Sequence, residues 1–195
     1  MRLFVAVDVD DDTRARVGRA IDALRAEMEQ APSQARISWL VPERLHLTLQ
    51  FIGHVREAVA DTIAARLLPA FAMRPFDIRF GGIGTFPSSG RPRVVWLGVE
   101  TGADGLAVLH GEVTRRLADV AFAREARPFS PHLTLARVKS GGTRAEGERI
   151  ARASLEPLGG CTIDHVTLYQ SRLSPRGPTY TPIVISPLHP PEPGA

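Results

Sequence analysis

The tetrapeptide His-Leu-Thr-Leu occurs twice in this 195-residue chain, at 46–49 and 132–135, and a variant, His-Val-Thr-Leu, lies at 165–168. Apolar and polar residues alternate in each copy, which is typical of a β-strand with one buried face. The leucines then face a core, while the histidine and threonine face the other way, about 6–7 Å apart along the strand. The repeat therefore predicts half-buried strands that each present one imidazole and one hydroxyl.

The rest of the chain mixes strand and helix patterns, and one HLTL strand falls in each half. This predicts an α+β fold with two lobes in one compact unit, because no Pro- or Gly-rich linker separates the halves. The predicted domain covers 1–186, and the Pro-rich tail 187–195 is predicted to be disordered. The segment 81–93 is predicted to be a loop. The predicted strands cover about 3–9, 37–40, 45–52, 76–80, 94–100, 132–138, 162–170 and 180–186. The predicted helices run from Asp10–Asp12 to Pro32, over about 57–71, from Leu106 to Val120, and over about 143–156.

Composition excludes several classes of protein. The 44% hydrophobic and 23% charged fractions are ordinary for a soluble globular protein, and no apolar run approaches the length of about 18 residues that a transmembrane helix needs. Cys161 is the single cysteine, which excludes an intramolecular disulfide and a thiolate metal cluster and favours a cytoplasmic location. The net charge is +3, and Lys139 is the one lysine among 24 Lys and Arg residues. Arginine suits bidentate contacts to phosphate, so an anionic substrate is permitted.

Two imidazoles that face each other suit phosphodiester chemistry. Their ordinary pKa is about 6.5, so near neutral pH one ring can accept a proton from water while the other gives a proton to the leaving oxygen. Threonine hydroxyls can donate hydrogen bonds to the phosphate oxygens between them. This chemistry needs no metal ion or other cofactor. The residues alone do not distinguish the acid from the base.

The paired HLTL segments resemble the two HxTx signatures of the two-histidine phosphoesterase superfamily. The flanking sequence resembles, more narrowly, the RNA 2′,3′-cyclic phosphodiesterases, also called 2′-5′ RNA ligases. The resemblance extends to about residue 186. The segments that carry it, in chain order, are MRLFVAVDV, WLVPERLHLTLQFIG, the G-x-F-P of 84–87, VVWLGV, RPFSPHLTLARV and LYQSRLSPRGPTY.

The resemblance implies a bilobal fold, with two antiparallel-rich sheets facing a central cleft and helices on the outer faces. It implies His46 as the proton donor, His132 as the proton acceptor, and Thr48 and Thr134 as phosphate-binding residues. The implied reaction opens a terminal 2′,3′-cyclic phosphate to a 2′-phosphate, with reversible, ATP-independent 2′-5′ RNA ligation as a second activity of the same site. The expected ligands are RNA ends or small cyclic or 2′-5′-linked nucleotides. No metal, cofactor, membrane or obligate protein partner is expected, and the default state is a monomer.

Three further residues are candidates for contacts with the substrate. Arg137 is a candidate phosphate contact, although strict alternation along the strand points it away from His132. Phe51 and Phe129 are candidates for base stacking, although core packing is the more common role of phenylalanine in such strands. Alternation places Phe51 on the same face as the leucines. The histidine of the third copy, His165, is not part of the family signature and is interpreted as incidental.

The sequence disfavours three other classes of enzyme. A ligase with a nucleotidyl-lysine intermediate is disfavoured, because the chain has one lysine and no KxDG. A metallohydrolase is disfavoured by the lack of H-E-x-x-H or a His/carboxylate cluster, and a serine hydrolase by the lack of G-x-S-x-G. A non-catalytic RNA- or nucleotide-binding module on the same fold remains the alternative.

Replacement of each histidine by alanine tests this interpretation. His46→Ala and His132→Ala are each expected to slow the opening of a 2′,3′-cyclic phosphate by about 10²–10⁴-fold, the usual contribution of general acid–base catalysis. His165→Ala is expected to keep most of the activity. Comparable losses in all three variants, measured as initial rates, would contradict the assignment.

Overall fold

The structure is a computed structural model, which describes residues 1–30, 33, 35–123, 127–153, 158–175 and 177–189. Within these ranges the chain forms ten strands, four α-helices and a short 3₁₀ turn at Pro42–Arg44. The strands are β1 (Arg2–Asp8), β2 (Arg36–Trp39), β3 (His46–His54), β4 (Phe71–Ala72), β5 (Phe76–Phe86), β6 (Val94–Thr101), β7 (His132–Ser140), β8 (Gly160–Ile163), β9 (His165–Ser174) and β10 (Gly177–His189). The helices are α1 (Asp11–Glu29), α2 (Glu57–Leu67), α3 (Ala103–Arg116) and α4 (Arg144–Arg152). None of the described helices is both long and apolar enough to cross a lipid bilayer.

The two HLTL strands, β3 and β7, lie side by side in the middle of the sheet. The strand order is β4-β10-β9-β1-β3-β7-β6-β5-β8, with β2 also paired to β7. Within the described chain, β3 and β7 share the one paired position Leu47–Leu133, and both leucines are buried. We call this pair the lobe junction. Lobe one consists of β4, β10, β9, β1 and β3, and lobe two consists of β7, β6, β5, β8 and β2. The predicted α+β bilobal fold with largely antiparallel sheets is therefore confirmed.

The chain crosses between the lobes more than once, which explains why no linker separates them. Helix α1 follows β1 of lobe one, yet its Thr13 and Arg16 side chains donate hydrogen bonds to the carbonyls of Gly160 and Leu158, at the start of β8 in lobe two. Helix α3 lies between two strands of lobe two in sequence, yet it packs against β3 of lobe one. The lobes are therefore interwoven and share one continuous hydrophobic core.

Helix α1 forms where its sequence pattern predicts. The Asp10 side chain caps the helix by accepting a hydrogen bond from the Thr13 amide at 2.7 Å. Its buried stripe repeats at helical spacing and includes Val17, Ile21, Leu24 and Met28. This stripe covers the sheet, and each fully buried aliphatic side chain of this kind contributes about 1.5–3 kcal/mol.

Several predicted boundaries differ from the structure; α3, for example, covers Ala103–Arg116 rather than 106–120. The predicted loop 81–93 begins later, because residues 81–86 continue β5. The predicted strand 162–170 is two strands, β8 and β9, which belong to different lobes. Helix α2 ends at Leu67 rather than at 71. The prediction of a disordered tail is wrong for residues 187–189, which extend β10: Leu188 pairs with Phe71 of β4 and is buried. The rest of the tail, 190–195, and the end of the predicted helix 143–156 lie outside the described residues.

Glycine within β5 explains why its sequence looks like a loop. Gly84 pairs with Trp96 of β6, and a Cβ atom on Gly84 would lie 2.2 Å from the Trp96 ring. Only glycine lets the indole lie flat against the strand at this position. The indole in turn lies next to His132, with ring centroids 6.3 Å apart.

We therefore expect Gly84→Ala to lower the free energy of unfolding by about 1–3 kcal/mol, because the ring must shift to accept the methyl group. Gly111→Ala is the matched control: Gly111 lies in α3, and a Cβ there meets nothing within 4 Å. That variant is expected to be neutral or stabilising by up to about 1 kcal/mol. Urea denaturation measures both, and equal stability of the two variants would contradict the account of Gly84.

Candidate active site

Strand β3 carries a β-bulge at the last residue of its HLTL segment. Thr48 pairs with Ala6 and Gln50 pairs with Val5, so Leu49 is an extra residue between them. A bulge interrupts the alternation of faces. Leu49 and Gln50, although adjacent, are consequently both buried.

Strand β7 carries the same bulge at the same place. Thr134 pairs with Trp96 and Ala136 pairs with Val95, so Leu135 is the extra residue. Leu135 and Ala136 are again both buried. The two lobes therefore repeat not only the motif but also the bulge at its last residue.

These bulges bring the fifth residue after each histidine onto the face of that histidine. Phe51 is 41% exposed, and its ring is stacked 6.2 Å from Phe4, whose ring lies 4.8 Å from His46. Arg137 is exposed and lies close enough to affect the pKa of both His46 and His132. The prediction from strict alternation, which turned Phe51 to the core and Arg137 away from His132, is therefore wrong.

Both motif histidines are held in the same way by the backbone. Nδ1 of His46 lies 2.8 Å from the carbonyl oxygen of Arg44, and Nδ1 of His132 lies 2.7 Å from that of Ser130. A carbonyl oxygen can only accept, so Nδ1 of each ring carries the proton and donates it. Nε2 is then the atom at which each ring takes up or releases a proton.

The lobe junction sets the order of the functional side chains. In an antiparallel pair, the neighbours on either side of a paired position also lie opposite each other. The register therefore places His46 beside Thr134 and Thr48 beside His132. The four side chains form a square with a histidine at each end of one diagonal, and all four are half-buried.

Aromatic rings flank each histidine. Tyr180 meets His46 edge-on, with centroids 5.2 Å apart, and Phe86 meets His132 edge-on at 5.0 Å. A cavity of about 170 Å³ opens beside His46 and is lined by Asp8, Glu43, Arg44, Leu45, Tyr169, Tyr180 and Pro182. A larger cavity, about 560 Å³, lies between α1 and β2 and includes neither histidine in its lining.

Burial lowers the pKa of both histidines below the ordinary value. For His46, the hydrogen bond to the Arg44 carbonyl and the charge of Asp8 oppose this effect, while Arg137 and His132 add to it. For His132, the hydrogen bond to the Ser130 carbonyl opposes it, while Arg137 and Arg127 add to it. Both rings are therefore biased towards the neutral form, and a bound anion would raise both pKa values again.

Comparisons with known proteins agree with this geometry. A sequence model of the 2′-5′ RNA ligase superfamily matches residues 10–174. This chain belongs to that superfamily. It is 37% identical over 180 residues to the RNA 2′,3′-cyclic phosphodiesterase of Archaeoglobus fulgidus, covering 92% of this chain and 96% of the relative. It is 39% identical over 139 residues to the protein of the same name from Aeropyrum pernix, covering 71% and 78% of the two chains.

Solved structures show the same superfamily fold. The crystal structure of E. coli LigT complexed with 3′-AMP matches with a TM-score of 0.73 and 26% identity, over 96% of this chain and 97% of LigT. The crystal structure of TT0787 of Thermus thermophilus matches with a TM-score of 0.71 and 28% identity, over 97% and 99% of the two chains.

The base-stacking candidate Phe129 has a packing contact with another ring. The Phe129 ring is stacked on His110, with centroids 4.3 Å apart and planes within 4°. His110 Nδ1 in turn lies 2.8 Å from the carbonyl oxygen of Leu49, the extra residue of the β3 bulge. In this member of the superfamily, Phe129 therefore supports the bulge that positions Phe51.

Sequence reasoning missed Asp8, which lines the cavity beside His46. The signal for it was indirect, because Asp8 ends a continuous apolar strand and its partner strand is not evident from sequence. Tyr180 is the last residue of the matching segment LYQSRLSPRGPTY, and the structure places its ring against His46. Among the described residues, no three His, Cys, Asp or Glu side chains are grouped to hold a metal ion.

The position of Arg137 leads to a titration experiment. Arg137→Gln is expected to raise the pKa of His46 and His132 by about half a unit to one unit, because the guanidinium no longer repels the imidazolium form. The exposed Lys139, two residues farther along β7, supplies the control Lys139→Gln. Histidine ¹H–¹⁵N NMR titration measures both, and equal shifts in the two variants would contradict the placement of Arg137.

Proposed function

We propose that this chain hydrolyses the terminal 2′,3′-cyclic phosphate of RNA to a 2′-phosphate, with His46 as proton donor and His132 as proton acceptor. The observation that carries the proposal is the square of two histidines and two threonines at the lobe junction. In both histidines Nδ1 is engaged by a backbone carbonyl, which leaves Nε2 for proton transfer. The names of the curated relatives support the reaction class.

In the proposed reaction, Nε2 of neutral His132 takes a proton from water as the water oxygen forms a bond to phosphorus. The bond between phosphorus and O3′ breaks, and Nε2–H of protonated His46 gives its proton to O3′. The product carries a 2′-phosphate and a 3′-hydroxyl. The same steps, with a 5′-hydroxyl end of RNA in place of water as the nucleophile, form a 2′-5′ link without ATP; run backwards, they break that link and restore the cyclic phosphate.

The other candidate residues have proposed roles in the same site. Thr48 and Thr134 donate hydrogen bonds to the non-bridging oxygens, and Arg137 neutralises the charge that develops on them. The exposed ring of Phe51 offers a surface for stacking a base. E. coli LigT was crystallised with 3′-AMP, which supports a site for a nucleotide that carries a phosphate on its ribose.

RNA ends and small cyclic or 2′-5′-linked nucleotides are the proposed ligands, and neither a membrane nor an obligate protein partner is part of the proposal. All four groups of the square come from one chain, which supports a monomeric enzyme. Cys161 is buried and unpaired, as is usual in a reducing compartment, and this supports the proposed cytoplasmic location.

A single incubation tests the reaction and its direction. The substrate is a short RNA that ends in a 2′,3′-cyclic phosphate, and ³¹P NMR against synthetic standards identifies the product. We expect a 2′-phosphate, at a rate unchanged by EDTA or ATP. A 3′-phosphate, or loss of activity in EDTA, would contradict the mechanism, and binding without turnover would identify the chain as a non-catalytic module.

A further inference from the structure

The third His-x-Thr copy converges on one carboxylate, that of Asp8 at the end of β1. The Thr167 hydroxyl donates to Oδ2 at 2.9 Å, and the Tyr169 hydroxyl donates to Oδ1 at 2.7 Å. Nε2 of His165 lies 3.3 Å from Oδ2. Donors therefore hold both oxygens of the Asp8 carboxylate, whose side chain is only 15% exposed.

These contacts keep the carboxylate charged. Burial disfavours the ionised form, but hydrogen bonds from His165, Tyr169 and Thr167 outweigh it and hold the pKa of Asp8 below its ordinary value. The hydrogen bond to Asp8, aided by Asp164, raises the pKa of His165 to about 9. At neutral pH the pair is therefore an aspartate and an imidazolium.

The same carboxylate is the cross-strand neighbour of His46. Asp8 of β1 pairs directly with His46 of β3, and both side chains line the cavity of about 170 Å³. Side chains at paired antiparallel positions have Cβ atoms about 4.5–5.5 Å apart. The packing is continuous as well, because the Phe4 ring lies between Tyr169 and His46, with centroids 5.2 and 4.8 Å away.

The equivalent position in lobe two has no carboxylate. His132 pairs with Gly98 of β6. The charged side chains that act on His132 are the cations Arg137 and Arg127. The two halves of the site, nearly identical in motif, bulge and backbone contact, thus differ in charge beside the imidazole.

We propose that Asp8 is a positioning residue that makes His46, and not His132, the proton donor, and that the third His-x-Thr copy holds Asp8 in place. A fixed negative charge favours the imidazolium form of one histidine only, so His46 takes up a proton more readily than His132 when an anionic substrate binds. This inference rests on the proposed function for its consequence in catalysis. It gives His165 a role in holding Asp8 rather than in proton transfer.

Other charged and titratable groups face Asp8 and His46, and the test leaves them unchanged. Arg14 of α1 lies 3.8 Å from the Asp8 carboxylate. Glu43 and Arg44 of the 3₁₀ turn and Tyr180 of β10 line the same cavity. On the opposite side, Arg137 and His132 act on His46 from β7.

The test is Asp8→Asn, which keeps the size of the side chain and removes its charge. It is expected to lower the pKa of His46 by about one unit, the effect of one partly screened charge at cross-strand distance. In the pH profile of kcat/KM, the basic limb reports the donor and the acidic limb reports the base. The basic limb should move down by about one pH unit, while the acidic limb stays in place.

Asp164→Asn is the matched control, because it removes a carboxylate from the other side of His165. Both limbs and the His46 titration are expected to stay in place in this variant. An unmoved basic limb in Asp8→Asn, or an equal displacement of both limbs, would overturn the assignment of Asp8, whatever the effect of the substitution on kcat.

Asp8→Ser is the second charge-removing variant, should Asp8→Asn fold poorly. Thr167→Val tests the third copy by removing one hydroxyl at constant volume, and a smaller downward shift of the basic limb is expected. An unmoved limb in Thr167→Val would refute the role of the third copy. NMR titration of His46 needs no substrate, so it decides the role of Asp8 independently of catalysis. If the parent protein fails to open a cyclic phosphate, that failure refutes the proposed function and leaves the NMR test of Asp8 in force.

Discussion

One pair of buried leucines determines the geometry of the site. Leu47 and Leu133 face each other where the two lobes meet, and they are the point at which the two sheets become one. Because this register is antiparallel, the polar neighbours of each leucine lie beside those of the other. A shift of one residue would turn the histidines and threonines into the core and the leucines into the cleft. The hydrophobic core and the catalytic square are therefore set by the same register.

The repeated bulge extends this arrangement from four side chains to six. It keeps Leu49 and Leu135 in the core while Phe51 and Arg137 turn to the cleft. The pseudo-symmetric strands thus supply different chemistry at equivalent positions, an aromatic ring in lobe one and a guanidinium in lobe two. The carboxylate of Asp8 is a second such difference. The duplicated strands account for the square of two histidines and two threonines. The residues without an equivalent in the other lobe make its two halves chemically different.

Much of this architecture could be predicted from the sequence. The HLTL alternation predicted the two central strands and the faces of His46 and His132, because period-two patterning is local and strong. The bulges could not be predicted, since they depend on the pairing of β3 with β1 and of β7 with β6. Asp8 was missed for the same reason: its importance comes from β9, which lies far away in sequence. The flanking sequence set the His-Val-Thr-Leu segment at 165–168 apart from the two HLTL copies, and the structure shows that its His165 and Thr167 contact Asp8.

A double-mutant cycle on His46 and His132 tests the central claim most directly, since an acid and a base that serve one concerted step act as a unit. The rate constant for opening a 2′,3′-cyclic phosphate is measured for the parent chain, each alanine variant and the double variant. The account predicts strong non-additivity, with the double variant little slower than the slower single variant. Losses that multiply, so that each histidine contributes independently of the other, would contradict it.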